Sequence, residues 1–182
     1  VENAYATGIE EGTGKYVGGL VGGLEGTSTV TNAYATGNVT GEGNYVGGLL
    51  GRLDGASTVT NAFATGKVTG KGSFVGGLVG RTKGTITDAY ATGNVTGEGS
   101  YVGGLMGIME GTSTLENAYA TGNVTGKDHV GGLVGIMKGT STVTNAFTTT
   151  ALGNSSAGTL LLPNEMKELT TFNVWVDSAN QA

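Results

Sequence analysis

Apolar and polar residues alternate along this chain in short stretches separated by glycine-rich corners. Over residues 32–65 the stretches are Tyr45-Val46-Gly47-Gly48-Leu49-Leu50, Ser57-Thr58-Val59-Thr60 and Ala62-Phe63-Ala64-Thr65. Such short alternating runs, rich in Val, Thr and aromatic residues, predict strands. Corners fall at Thr40-Gly41-Glu42-Gly43, at Arg52-Leu53-Asp54-Gly55 and near Asn61, where Gly, Asn and Asp favour turns. No helical spacing of apolar residues appears until after Leu160.

The pattern then returns. Copies begin at Asn3, Asn32, Asn61, Asp88 and Asn117, and a sixth starts at Asn145 before degenerating, which makes units of 29, 29, 27, 29 and 28 residues. A period in this range marks stacked units, none able to bury its apolar face alone. The expected fold is therefore all-β: a single-stranded β-solenoid (parallel β-helix) of about five to six coils, one repeat of ~29 residues per coil. Five coils at ~4.8 Å per rung make a rod about 24 Å long. Residues 1–150 form the solenoid in this reading, and 151–182 a C-terminal capping segment. Within the cap, Leu160-Leu161-Leu162 and Pro163 to Leu169 could form a short helix with Pro near its start. Phe172, Val174 and Trp175 could then cover the last rung and blunt its edge.

Stacking would bring equivalent residues into files. One file reads Glu42, Lys71, Glu98, Lys127 and another Asp54, Lys83, Glu110, Lys138, both alternating in sign. Exposed pairs of this kind contribute about 0.2–1 kcal/mol each, enough to tune register. An aromatic file comprises Tyr5, Tyr34, Phe63, Tyr90, Tyr119 and Phe147. A second holds Tyr16, Tyr45, Phe74 and Tyr101, with His129 in the fifth place as a stacked ring. The six residues that open the copies, Asn3 to Asn145 with Asp88 among them, suggest an amide ladder at a corner. Alternation leaves open whether Tyr34 or its flanking Ala33 and Ala35 face inward, and the Phe at two of these places favours a buried ring. Val46 and Leu50 suit a tight interior, which would turn Leu49 outward unless a bulge intervenes.

Composition narrows the function. There are 37 Gly but one Pro, and 37% of residues are hydrophobic, so neither a flexible linker nor collagen fits. A net charge of −5 argues against nucleic-acid binding, which needs a basic stripe. With no Cys, disulfides and thiolate metal sites are excluded and stacking must supply the stability. No apolar run reaches membrane-spanning length, so no membrane insertion is expected. The opening at Val1, without Met or lead-in, reads as a processed product or excised fragment. One His and dispersed carboxylates, with Lys on alternate rungs, give no catalytic constellation. No enzyme activity, metal or cofactor is expected.

Gly19-Leu20-Val21-Gly22, Gly48-Leu49-Leu50-Gly51, Gly77-Leu78-Val79-Gly80, Gly104-Leu105-Met106-Gly107 and Gly132-Leu133-Val134-Gly135 resemble the GLUG motif. Together with the Ala-Tyr-Ala-Thr-Gly segments the likeness covers residues 3–144. It implies a large microbial surface protein, such as the filamentous-haemagglutinin-like adhesins or some immunoglobulin A peptidases. In the latter a separate metalloprotease domain does the chemistry, and this chain has no His-Glu-x-x-His. The leading expectation is a non-enzymatic extracellular or cell-surface module, structural or adhesive, with a host or cell-surface glycan or protein as partner. A filament built by end-to-end stacking is the first alternative, pairing Asn3–Thr7 with residues 172–176 of the next copy.

Two further features carry chemistry. Thr29-Val30-Thr31, Thr58-Val59-Thr60, Thr85-Ile86-Thr87 and Thr142-Val143-Thr144 place two hydroxyls on one strand face. Stacked, they resemble the threonine grids of ice-binding solenoids, although Thr114-Leu115-Glu116 breaks the pattern. Asn38, Asn94, Asn123 and Asn154 each open an N-glycosylation sequon.

Overall fold

The structure, a computed structural model, describes residues 1–150 and 159–160. Leu160, expected to open the capping segment's helix, is strand instead and pairs in parallel with Thr148. The rest of that helix, the expected cover by Phe172, Val174 and Trp175, and Asn154 lie outside the described residues. Four strands make each coil. In the third coil they are Thr58–Ala64, Val68–Gly70, Phe74–Gly76 and Val79–Thr82. Each pairs in parallel with its equivalents one repeat away, giving one seven-stranded and three five-stranded sheets. We call them the first to fourth sheets in the order the chain visits them. The register is one residue to one residue throughout, as in Val59 between Val30 and Ile86. The all-β solenoid of about five coils is thus the fold of this chain.

The strands differ in detail from the alternation. The expected corner at Thr40-Gly41 is strand, Val39–Gly41, and so is Arg52-Leu53, within Leu50–Leu53. The corner near Asn61 lies inside a continuous seven-residue strand. There the chain bends at one left-handed residue per coil, with φ between 49° and 54° at Asn3, Asn32, Asn61, Asp88, Asn117 and Asn145. Asn and Asp visit this region at low cost because their short polar side chains bond locally.

The single expected stretch Tyr45–Leu50 is two strands, broken at Gly48-Leu49. Leu49 and Leu50 N–H both donate to the Leu78 carbonyl, at 2.9 and 3.0 Å. That doubled donation is a bulge, and it turns both leucines inward, each fully buried. Leu49 therefore does not point outward. The same doubling recurs where Leu78 and Val79 meet Leu105, and where Leu105 and Met106 meet Leu133.

Two cores run along the axis. The larger lies between the first and fourth sheets and contains Leu49, Leu50, Val59, Ala62, Ala64, Leu78 and their equivalents. A narrower one, between the second and third sheets, is a zipper of valines such as Val39, Val46, Val68 and Val75. Burying each Val or Leu is worth about 1.5–3 kcal/mol, so these files supply most of the stability. The alanines, not the aromatic rings, face inward: Ala33, Ala35, Ala62 and Ala64 are each 1% exposed. The reason is space. A Cβ placed on Gly48 would sit 2.8 Å from the Ala64 Cβ, and one on Gly77 would sit 2.9 Å from the Ala91 Cβ, so no ring fits there.

Candidate functional site

Among the described residues the core is filled mainly by apolar files, and most polar side chains stand on the exterior. Among the described residues no group of three or more His, Asp or Glu comes together to hold a metal. What the coils present instead are continuous columns of like side chains.

The bend residues form an amide ladder. Asn32 donates to Asn3 at 3.0 Å, Asn61 to Asn32 at 2.7 Å, Asn117 to Asp88 at 2.9 Å and Asn145 to Asn117 at 2.7 Å. One rung is missing. The Asp88 carboxylate accepts from Asn117 but has no proton to give to Asn61. Asp88→Asn supplies that donor and is expected to stabilise the fold by about 0.5–1 kcal/mol, a rise of about 1–4 °C in Tm. Calorimetry of the two proteins checks this, and an unchanged or lower Tm would refute the ladder's contribution.

Outside the bend, the first aromatic file stacks almost face to face. Centroids from Tyr5 through Tyr34, Phe63 and Tyr90 to Tyr119 lie 5.3, 4.9, 4.7 and 4.9 Å apart, with interplanar angles of 10° or less. Phe147 follows in register beside Tyr119. Because neighbouring rings cover each other's faces, chiefly ring edges meet solvent. Burial raises the phenol pKa of Tyr90, and more strongly that of Tyr119, where the Tyr90 phenol adds to the shift. The second file stacks likewise from Tyr45 through Phe74 to Tyr101 at 5.0 Å. His129 takes the fifth place, tilted 39° at 5.0 Å from Tyr101. Its coil has one residue fewer before the third sheet, and His129 absorbs the difference with φ 45°.

On the other side of the bend stand the threonines. Thr29, Thr58, Thr85, Thr114 and Thr142 align as one file, and Thr31, Thr60, Thr87, Glu116 and Thr144 as the second. Beneath them Val30, Val59, Ile86 and Leu115 are fully buried.

Of the two charge files, the first closes as expected at Glu42 and Lys71, 2.6 Å apart. Each holds the other ionised, lowering the Glu42 pKa and raising that of Lys71, to which Glu98 adds a weaker pull. Between Glu98 and Lys127 no ion pair closes. In the second file the backbones stack as expected, since Lys83 N–H donates to Leu53 O and Glu110 N–H to Thr82 O. The lysines, however, do not take the carboxylates. Arg52 and Arg81, two residues earlier on the fourth-sheet strands, reach them first.

A chain of ion pairs results, spanning four coils. Arg52 bridges Glu25, at 2.8 Å, and Asp54. Arg81 then bridges Asp54, at 3.3 Å, and Glu110, at 2.7 Å. Arg52 also lies over the Tyr16 ring and Arg81 over Tyr45, at 5.1 and 5.7 Å, and Lys138 lies over Tyr101. Reading sign alternation alone missed these two residues, the chain's only arginines. The usable signal was their spacing: Arg at i−2 from the charged position shares its strand face, and the planar fork pairs with carboxylates better than an ammonium.

Comparison with known families settles the class. The family model described as the GLUG motif matches residues 13–40, 42–69, 72–96 and 98–125. The chain belongs to the GLUG-motif family. Against curated proteins no match is found.

Each GLUG match spans one coil, and the Gly-Leu-x-Gly tetrad sits at the bulge between the third and fourth sheets. Its role in this chain is architectural. The two central residues fill the core, and a Cβ on the closing glycine, Gly51, would lie 2.7 Å from the Val17 backbone nitrogen of the preceding coil. On the GLUG coils the sequon residues share one exposed corner. Asn38 accepts the Lys67 N–H at 2.9 Å and Asn94 the Asn123 N–H at 3.0 Å through their side-chain oxygens, leaving each amide nitrogen free of that bond.

Proposed function

We propose that this GLUG solenoid serves as a non-enzymatic extracellular module of a microbial surface, a stiff spacer with an adhesive exterior. One observation supports the reading above others: four strands per coil keep unbroken parallel register through successive coils around a mainly apolar interior, in which buried Ser57, Thr82 and Ser113 are exceptions. Such stacking resists bending and presents equivalent positions, many of them chemically alike, at each rung, so weak contacts to an extended partner add along the rod. The partner is a glycan or protein of a host or neighbouring cell.

Displayed on a non-adherent bacterium, the chain is expected to increase retention on glycan- or protein-coated surfaces under flow. Purified, it is expected to turn over neither peptide nor glycan substrates. Unchanged retention would remove the adhesive part of the reading, and measurable turnover would overturn the rest. The filament alternative pairs Asn3–Thr7 with residues 172–176, which lie outside the described residues.

A further inference from the structure

The grid of threonines on the first sheet lies outside the amide, aromatic and ion-pair files, and among the described residues its side chains join neighbouring coils at only two contacts. Its spacing is fixed by the backbone: ~4.8 Å from rung to rung and about 6.6–7 Å between alternate residues of one strand. Each β-branched side chain is restricted at χ1, and the apolar residues beneath are immobilised in the core. Hydroxyl and methyl positions therefore repeat in two dimensions. Thr87 donates to Thr60 at 3.2 Å and Thr142 to Thr114 at 3.5 Å. A hydroxyl that donates still accepts up to two hydrogen bonds, so the grid keeps unused acceptors facing solvent.

We infer that this threonine face binds ice. An ice surface offers water molecules at fixed repeats and carries no charge. Its complement is a rigid, uncharged array with hydrogen-bonding groups at regular intervals and apolar groups between them. Ionic side chains would instead orient hydration water around themselves. Thr29, Thr31, Thr58, Thr60, Thr85 and Thr87 make three complete rungs of such an array, and Thr114 extends one file. Glu2 stands beside Thr31 at the head of the other file and Glu116 interrupts it, while Asp88 stands in the amide file at its border. A polysaccharide is the weaker fit, because sugars rest on aromatic ring faces and here those faces are taken by stacking at 4.7–5.3 Å.

The test compares the full chain with Thr60→Lys and Glu116→Thr in ice-recrystallisation inhibition and thermal hysteresis, with circular dichroism to verify folding. The native chain is expected to inhibit recrystallisation. Thr60→Lys, an exterior change, should raise the inhibiting concentration about tenfold, as loss of a central contact does, with an unchanged spectrum. Glu116→Thr completes the second file and should lower that concentration several-fold. Absence of inhibition by both the native chain and Glu116→Thr would overturn the proposal. So would inhibition indifferent to Thr60→Lys, or binding to crystalline polysaccharide without any effect on ice. Should Thr60→Lys fail to fold, the Glu116→Thr comparison decides by itself. The ice outcomes do not bear on the adhesive spacer reading, which flow adhesion tests separately, whereas polysaccharide binding would favour it.

Discussion

Gly76→Ala is expected to destabilise the solenoid by more than about 4 kcal/mol, the range reserved for changes the structure cannot absorb. Gly76 ends a third-sheet strand in the middle of the rod. A Cβ there would overlap the Val79 carbonyl and lie 2.8 Å from both Leu105 O and Gly107 N. All three are backbone atoms, so no side chain can swing aside. Moving Leu105 O away would also strain the two bonds it accepts, from Leu78 at 2.8 Å and Val79 at 3.1 Å. Those bonds join the third coil to the fourth. Because each coil touches only its neighbours, the damage should uncouple the two halves of the rod. Urea denaturation is expected to show an earlier, broader or split transition. Gly8→Ala is the control: nothing lies within 4 Å of its Cβ, and its effect should stay within about 0.5 kcal/mol. A Gly76→Ala protein with the native midpoint would disprove the close approach of the coils at this corner.

Removing Arg81 should cost about 3 kcal/mol, at the lower end for breaking a buried ion pair. Its side chain is 13% exposed, and its partners Asp54 and Glu110 are 12% and 24% exposed. Arg81→Ala would leave these carboxylates without their shared cation in a poorly hydrated strip. Arg81→Lys should recover only part of the loss. The guanidinium gives Glu110 two bonds, from Nε at 2.9 Å and Nη2 at 2.7 Å, while Nη1 turns to Asp54. An ammonium cannot span both. By contrast, Lys71→Ala is expected to leave the midpoint unchanged, because Lys71 and Glu42 are exposed, their side chains more than half accessible, and water screens such pairs. Equal effects from Arg81→Ala and Lys71→Ala would show that the ion-pair chain adds nothing beyond surface charge.

The contrast between these two pairs shows how far residue order reaches. Sign alternation correctly put Glu42 beside Lys71 and aligned Asp54 with Lys83, because register follows from the repeat and from one residue opposing one. It could not tell which cation would reach Asp54, since that depends on strand ends. Leu50–Leu53 continues through Arg52, placing the guanidinium on the same outer face as the carboxylate. Likewise, alternation across Ala33-Tyr34-Ala35 is compatible with either face inward. The choice was made by the opposing glycine corner of the coil, whose backbone approaches too closely to admit a ring. Leu49 turns inward against the alternation for a similar reason: two successive N–H groups share one carbonyl, and a period-two pattern carries no trace of that.

By itself, then, the order of residues determined the repeat, the all-β class, the parallel register and the membership of every file, because a period of about 29 residues can bury its apolar positions only by stacking. Only the tertiary structure decided which files face the core, where each strand ends and which ions meet. Those outcomes depend on distances between neighbouring coils of a few ångströms, set by glycines whose missing side chains leave no signature until the backbones are brought together.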